Sequence, residues 1–268
     1  ILVYSGVPAQ KFIANQFPEK DFEVIESAIN NIKKINPKKV ILISTIDVYN
    51  NTIETNEDTI IDMDKLQPYG KNRYYLEKWV KENIEDYLIV HLPGLYGKNL
   101  KKNFIYDLIN IVPSMINSQK FKEIISNDNY IKKYYDIQEN GYYKYNGIAS
   151  KEDFDKLKEY FLNLGFSALN FTDSRGSYQF YNLAYLWKHI EIALNNNLNI
   201  LNLATEPVTA SELFKYIKGE EFNNILNKEV PNYNFKSKYY ELFDGKDGYI
   251  FDKKFVLKDI RKFVNKQD

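Results

Sequence analysis

The sequence predicts an α/β fold built on a doubly wound parallel sheet, and three observations support this fold class. Four short runs rich in apolar and β-branched residues are expected to form strands, and helical patterns separate them. The runs are continuously apolar rather than strictly alternating, which is typical of strands buried on both faces of a parallel sheet. The strand–helix–strand order favours parallel crossovers over hairpins.

Three of the four predicted strands, with two helices, follow one another along the first 92 residues. The four strands are expected at residues 1–7, 40–45, 87–92 and 199–204. The first helix, residues 21–35, and the second, residues 69–84, each place apolar side chains every three or four positions, which gives a helix one apolar face. The apolar residues of these faces are Phe22, Ile25, Ala28, Ile29 and Ile32 in the first helix and Leu76, Val80 and Ile84 in the second.

After Gly97 the pattern changes, and helices are predicted at residues 104–111, 152–164 and 183–194. Thr209 and Glu212 have the spacing of a capping box, so a further helix is expected to begin there. A stretch rich in Tyr, Lys and Asn, residues 130–146, has two interpretations. It is either a solvated, adaptable loop or a lid that covers a substrate.

Composition excludes several classes of protein. The 268 residues include 36 basic and 36 acidic ones, and this balance argues against a nucleic-acid binder, whose signature is a basic field. The absence of Cys excludes disulfides and thiolate sites, and it is consistent with a cytoplasmic location. No apolar run approaches the roughly 20 residues that cross a bilayer. We therefore predict a cytoplasmic protein with no membrane contact, and the spacing of His, Asp and Glu predicts no metal site.

Three residues form a candidate catalytic group. Thr45 ends the second strand, Tyr69 opens the second helix, and Arg73 lies one helical turn later on the same face. A free Tyr is a poor base at neutral pH because its pKa is near 10, and a neighbouring cation favours the phenolate. About three Tyr-x-x-x-Lys/Arg matches are expected by chance, so the pattern gains weight only from its surroundings. The alternative is a core Tyr and a strand-end Thr.

Four segments, in this order, resemble motifs of the extended short-chain dehydrogenase/reductases. They are residues 43–49, residues 68–73 followed by Glu77, residues 93–97 and residues 202–209. The resemblance implies a Rossmann-like cofactor domain, residues 1–100 and 181–205, and a smaller C-terminal α/β substrate domain, residues 101–180 and 206–268. Proteins of this family use NAD or NADP, and most act on nucleotide-linked sugars. A possible homodimer through the helices 21–35 and 69–84 is also implied, unless their apolar faces pack on the sheet.

The resemblance also implies residue roles. Tyr69 is the expected acid/base, Thr45 the anchor for the reacting oxygen, and Arg73 the ribose clamp in place of the family's lysine. The implied cofactor contacts are Ser5, Gly6, Val7, Ser44, Tyr69, Arg73, Leu92, Pro93, Gly94 and Leu95. The implied substrate contacts are Asp47, Asn103 and Arg175, although a solvated surface position is an alternative for Arg175. His91 is expected to lie beside a strand end rather than to act in catalysis.

Two departures from the family pattern narrow the prediction. Ile46 and Asp47 replace the Asp-Glu pair of the family's dehydratases, which disfavours dehydration and leaves 4-keto reduction or epimerisation. Gly6 is the only glycine before Gly70, so no glycine-rich phosphate loop is present, and we expect the pyrophosphate site and the first strands to precede Ile1. The sequence therefore does not distinguish NAD from NADP as the cofactor. The alternative from another class is a non-catalytic dinucleotide or nucleotide-sugar binding protein.

Overall fold

The computed structural model describes residues 1–101 and 103–266. Its strands are β1 (Leu2–Tyr4), β2 (Lys39–Thr45), β3 (Asp86–Leu92), β4 (Gly94–Tyr96), β5 (Met115–Asn117), β6 (Tyr135–Ile137), β7 (Tyr142–Tyr145), β8 (Ser177–Tyr178), β9 (Phe180–Asn182), β10 (Ile200–Asn202) and β11 (Val208–Thr209). Its helices are α1 (Lys11–Gln16), α2 (Pro18–Ile35), α3 (Pro68–Asn83), α4 (Asn103–Asn110), α5 (Ser118–Asn127), α6 (Lys151–Asn163), α7 (Leu186–Asn195), α8 (Ala210–Lys218) and α9 (Lys253–Val264).

The central sheet has four parallel strands in the order β1–β2–β3–β10. Thr45 pairs with Leu92 at the last position of the β2–β3 ladder, so the carboxyl ends of these two strands meet at one edge. All four strands lie where the sequence predicts them, and the predicted α/β fold class is confirmed. Ligands of open parallel sheets bind at such a carboxyl edge, which makes this edge the first place to look for a site.

Helices cover both faces of this sheet. On one face, α2 and α3 pack on Val40, Leu42 and Ile89, and on the other face α7 packs on residues of opposite parity such as Ile41 and Leu88. The doubly wound arrangement explains why the strands are apolar at successive positions. The apolar faces of α2 and α3 therefore pack on the sheet. This was the stated alternative to their use in a dimer interface.

Local signals define the helix ends. Helix α2 begins with Pro18, whose missing N–H costs nothing in the first turn, and ends at Asn36 with a left-handed φ of 47°. The capping box of α8 is present: Glu212 N donates to the Thr209 hydroxyl at 3.1 Å, and Thr209 N donates to the Glu212 carboxylate at 2.8 Å. The predicted helices at residues 104–111, 152–164 and 183–194 correspond to α4, α6 and α7.

Residues 112–166 form a small unit with its own apolar cluster. The antiparallel sheet β5–β7–β6 packs with α5 and α6 around aromatic side chains, including Phe121, which stacks on Tyr143 at 3.8 Å between ring centres. The interpretation of residues 130–146 as a solvated loop was wrong, because most of this stretch belongs to the short helix Tyr130–Tyr134 and the strands β6 and β7. The interpretation of this stretch as a lid stays a prediction.

The remaining elements join the central sheet to the C-terminal helices. Strand β4 follows β3 directly and pairs in parallel with β9, while α4, α8 and α9 share a second apolar cluster. The proposed boundaries of a cofactor and a substrate domain stay predictions. Within residues 1–101 and 103–266, no helix is long and apolar enough to cross a membrane. The same residues contain no group of three or more His, Asp or Glu side chains that could hold a metal ion.

Candidate functional site

Thr45 and Tyr69 meet at the carboxyl edge of the sheet. Thr45 is the last residue of β2, and its hydroxyl accepts a hydrogen bond from Asp47 N at 3.2 Å, which starts the single helical turn Ile46–Val48. Tyr69 lies in the first turn of α3, and the Thr45 side chain lies close enough to its phenol to lower the pKa of the phenol. The two hydroxyls that the sequence predicts to cooperate are thus brought together.

Gly70 allows this meeting. A Cβ at Gly70 would overlap the carbonyl oxygen of Asp47, so only glycine lets α3 approach the turn that follows β2. On its other side, Tyr69 N donates to Asn15 Oδ1 of α1 at 2.9 Å. The phenol is therefore fixed by a close backbone contact and by a side-chain bond from a separate helix.

Replacing Gly70 with alanine is expected to destabilise the fold by about 1–3 kcal/mol, because the new methyl group must push α3 away from Asp47. Urea unfolding of the variant measures this loss. Lys78→Ala, at an exposed position of the same helix, is the control and should leave the free energy of unfolding nearly unchanged. A Gly70→Ala protein as stable as the wild type would contradict the close contact.

The environment of Tyr69 keeps its phenol protonated. Burial raises the pKa of Tyr69, the Arg73 guanidinium lowers it, Asp47 raises it, and Lys11 lowers it. The net direction is upward, so the predicted stabilisation of the phenolate by a neighbouring cation is outweighed by burial. At neutral pH the side chain is a proton donor.

The Arg73 guanidinium lies against the ring of Tyr69, with Cζ 4.1 Å from the ring centre. It is 5% exposed, its Nη1 pairs with the carboxylate of Asp21, and its Nη2 donates to Pro8 O at 2.6 Å. Arg73 thus supplies a charge beneath Tyr69, and its polar contacts within the described chain are to α2 and to the segment after β1. Its role as a ribose clamp stays a prediction.

The other predicted cofactor residues lie around the same edge. Residues 5–7 follow β1, Ser44 and Thr45 end β2, and residues 92–95 run from the end of β3 into β4. The Ser44 hydroxyl donates to Glu77 Oε1, and Gly94 N donates to Gln179 O at 3.1 Å. Their contacts with a cofactor stay predictions.

The predicted substrate residues occupy three different settings. Asp47 lines a cavity described below. The Asn103 side chain donates to Leu95 O at 2.6 Å and accepts from Ile105 N at 3.0 Å, so it fixes the start of α4 against β4. Arg175 is half-exposed and makes a two-point ion pair with the buried Asp173. Substrate contacts of all three residues stay predictions.

A buried polar network lies directly behind Ser44. Glu77 accepts from Ser44 and from His91 Nε2 at 3.0 Å, and His91 Nδ1 lies 2.7 Å from Asn202 Oδ1. Both ring nitrogens therefore face acceptors, which suits a protonated imidazole. Burial lowers the pKa of His91, but the Glu77 carboxylate and the hydrogen bonds outweigh burial and raise it above 6.5. His91 lies beside a strand end, as the sequence predicts.

This raised pKa predicts a stability that falls with increasing pH. The contribution of the His91–Glu77 pair is fully present below the unfolded pKa of His91, near 6.5, and is lost as pH rises through the higher folded pKa. The difference in unfolding free energy between wild type and His91→Gln should therefore be larger at about pH 6 than at about pH 9. Urea unfolding at a series of pH values measures it.

His189, the other histidine of the chain, serves as a control of opposite sign. Burial lowers its pKa to about 4, so its contribution is present above pH 6.5 and is lost as pH falls. The difference between wild type and His189→Gln should shrink in acid. A His91→Gln difference that also shrinks in acid would contradict the structure.

A cavity of about 470 Å³ is lined by Asp47 and Gly70, which lie close to Thr45 and Tyr69 in the sequence, whereas Thr45 and Tyr69 themselves do not line it. Its lining includes Lys11, Asp47, Gln67, Gly70, Asn232 and Tyr233. Lys11 Nζ lies 2.6 Å from Asp47 Oδ1 and 3.1 Å from the Tyr233 hydroxyl. Amide, hydroxyl and charged groups thus surround an open space, and such a lining suits a polyhydroxylated ligand.

Sequence reasoning missed Lys11 and Tyr233. They are 36 and 186 residues from Asp47 along the chain, and no motif connects them. Asp21, which neutralises Arg73, was also missed as a site residue. Its position on the predicted helix 21–35 carried no signal, because an acidic residue near the start of a helix is common.

Comparison with known proteins identifies the fold but not a sequence family. No family model matches the chain, and no curated protein matches it in sequence. Among solved structures, UDP-glucose 4-epimerase from Thermotoga maritima with UDP-glucose is similar with a TM-score of 0.59 and 12% identity, over 98% of this chain and 75% of that one.

Two further solved structures are similar to the same degree. RMD from Pseudomonas aeruginosa with NADPH has a TM-score of 0.58 and 12% identity, over 99% of this chain and 81% of that one. The dTDP-4-dehydrorhamnose reductase from Bacillus anthracis with NADP has a TM-score of 0.57 and 13% identity, over 99% and 80%. At this identity the likeness establishes a common fold.

Proposed function

We propose that this protein is an NAD- or NADP-dependent enzyme that reduces or epimerises a nucleotide-linked sugar. The observation that carries the proposal is the buried Tyr69 phenol beside the Thr45 side chain at the carboxyl edge of a parallel sheet. A proton donor and an oxygen anchor in this position suit a reaction at a carbonyl or alcohol group. The shared fold with nucleotide-sugar epimerases and reductases supports the same assignment.

The residues present fit the nicotinamide end of the cofactor. The ends of β1, β2 and β3 lie side by side at one edge, with the small residues Ser5, Gly6 and Ser44 following or ending them. The backbone turn 92–95 continues this edge. When bound, the nicotinamide supplies or accepts the hydride.

Within this site the chain handles the proton. In the direction of reduction, the Thr45 hydroxyl hydrogen-bonds the carbonyl oxygen, and Tyr69 donates its proton to that oxygen as hydride reaches the carbon. The raised pKa of Tyr69, caused mainly by burial, keeps the phenol in the acid form that this direction requires. Oxidation of an alcohol uses the same groups in reverse.

Dehydration stays disfavoured. Ile46, at the position of the dehydratases' acid, is 4% exposed and packs with Val48, Tyr49 and Phe235. An alkyl side chain in this packing cannot donate a proton to a leaving hydroxyl group. Asp47 is held by Lys11 and Tyr233 at the cavity wall, where it suits contact with sugar hydroxyl groups.

The second candidate function is non-catalytic binding of a dinucleotide or nucleotide sugar. The ion pair between Arg73 and Asp21 favours it, because a neutralised and buried arginine has less influence on Tyr69 and on a ribose. This arrangement is consistent with a site that binds its ligand without catalysing a reaction.

Oxidation of NADH and NADPH by the full chain with a panel of 4-keto-sugar nucleotides, together with chromatographic detection of the epimer formed from UDP-sugars, tests both functions. Turnover that Arg73→Lys retains or increases supports the enzyme. Saturable binding of cofactor or nucleotide sugar without turnover supports the binding protein. Absence of both binding and turnover contradicts both functions.

A cytoplasmic homodimer is the finer part of the proposal. The outer side of α2 and α3 carries the rings of Phe22 and Tyr75, which contact each other at 5.0 Å between centres, and Tyr75 is 43% exposed. An exposed tyrosine that packs on the neighbouring helix suits a contact between copies. Sedimentation of the wild type and of Tyr75→Glu tests it, and a wild-type monomer at all concentrations contradicts it.

A further inference from the structure

Lys11 belongs to a charged group that includes Asp47, the second residue after Thr45. Its ammonium is held by Asp47 Oδ1 at 2.6 Å and by the Tyr233 hydroxyl at 3.1 Å, and the Tyr233 hydroxyl itself donates to Asp47 Oδ1 at 3.3 Å. Burial lowers the pKa of Lys11, but Asp47 and Tyr233 outweigh burial and raise it. Lys11 is therefore a permanent cation.

Asp47 links this group to the reacting residues. Its backbone N–H donates to the Thr45 hydroxyl at 3.2 Å, and its carbonyl oxygen is the atom against which Gly70 packs. One residue therefore contacts the oxygen anchor, the helix that carries Tyr69, and the Lys11 ammonium. Charge on Asp47 and Lys11 acts on Tyr69 in opposite directions.

The two cations near Tyr69 differ in what they can do. Both cations are paired with a carboxylate, but Arg73 is also buried and bonded to a backbone carbonyl, so its position is fixed. The Lys11 side chain is 44% exposed and lines the cavity. Among the described residues that shift the pKa of Tyr69, Lys11 is the cation that a ligand in the cavity would contact.

We propose that Lys11 is a charge-positioning residue for Tyr69, and that its ammonium stabilises the phenolate formed when Tyr69 gives its proton to the substrate. In that step the O–H bond of Tyr69 breaks, a new O–H bond forms on the substrate oxygen, and the phenoxide keeps the electron pair. Hydride from the nicotinamide completes the reduction. The inference rests on the proposed function and adds a residue that the Tyr-x-x-x-Arg pattern does not contain.

Ionisation of residue 69 alone tests the electrostatic part without substrate. A fluorinated tyrosine placed at position 69 gives one ¹⁹F resonance, which a pH titration follows. Lys11→Met should shift this titration to higher pH, because a cation is lost and Asp47 is left without its partner. Asp47→Asn should shift it to lower pH.

The double variant separates charge from structure. Lys11→Met combined with Asp47→Asn removes one charge of each sign, so its titration should lie between those of the two single variants and close to the wild type. Lys11→Arg should restore the wild-type titration. Lys71→Met, which removes an exposed lysine from α3, is the matched control and should leave the titration in place.

A titration that Lys11→Met does not move, or that the double variant leaves as far displaced as Lys11→Met, overturns the inference. Turnover is measured separately with the same variants. The pH profile of kcat for Lys11→Met should shift in the same direction as its titration, and Lys11→Arg should recover it. A shifted titration in a protein without turnover would overturn the proposed function and with it the catalytic use of Lys11, while the electrostatic contact itself stands.

Discussion

Tyr69→Phe is expected to lower kcat by about 10²–10⁴-fold, the contribution of a positioned general acid. The phenylalanine ring fills the same buried space over Arg73, so the loss should be confined to the proton transfer. Cofactor affinity and the free energy of unfolding should change far less than kcat. Steady-state kinetics with the substrate found in the panel, together with urea unfolding, measure the two effects separately.

Tyr75→Phe is the matched control for this result. Tyr75 lies on the same helix, is 43% exposed, and packs on Phe22 away from the sheet edge. Its variant should keep wild-type turnover. Undiminished kcat in Tyr69→Phe would remove Tyr69 from the chemistry and contradict the proposed role of its phenol as the proton donor.

Asp21→Ala is expected to destabilise the protein by about 3–5 kcal/mol, because it leaves the buried Arg73 guanidinium without its partner. The Asp21 carboxylate also accepts from Asn72 Nδ2 at 2.9 Å, so a second donor loses its acceptor. Urea unfolding of the variant measures the loss. Glu23→Ala, at an exposed position of α2, should change the free energy of unfolding little.

The cost of Asp21→Ala should fall when the unpaired charge is removed as well. The double variant Asp21→Ala, Arg73→Met leaves no buried cation, so it should be more stable than Asp21→Ala alone. If the double variant loses the sum of the two single effects, Asp21 and Arg73 are energetically independent of each other. That outcome would contradict the buried pair as the origin of the loss.

Local patterns predicted most of the fold. The strands and the helices α2 and α3 depend on apolar periodicity within one segment, and the capping box at Thr209 is a four-residue signal. The hairpin β6–β7 was missed because its buried side chains are mainly tyrosines, in a stretch that also contains many Lys and Asn residues. A composition of this kind is compatible with a loop and with a strand.

Sequence patterns predicted only those site residues that lie on neighbouring elements of the chain. Thr45 ends β2 and Tyr69 lies at the start of α3, the helix that connects β2 to β3. The fold class therefore already places both residues at one edge of the sheet. Lys11 reaches this edge from α1, and Tyr233 reaches it from a segment without regular structure near the C-terminus. Contacts of this kind depend on tertiary packing, which no local pattern encodes.

The close approach of Gly70 to Asp47 bears on how much the protein must rearrange during the proposed proton transfer. The backbone contact joins the start of α3 to the end of β2, so the Tyr69 phenol and the Thr45 hydroxyl belong to one rigid frame. Dipoles held in such a frame are already oriented before charge moves, and the protein need not rearrange during the reaction. In the proposed reaction, the contact at Gly70 would therefore keep the reorganisation energy at the proton donor low.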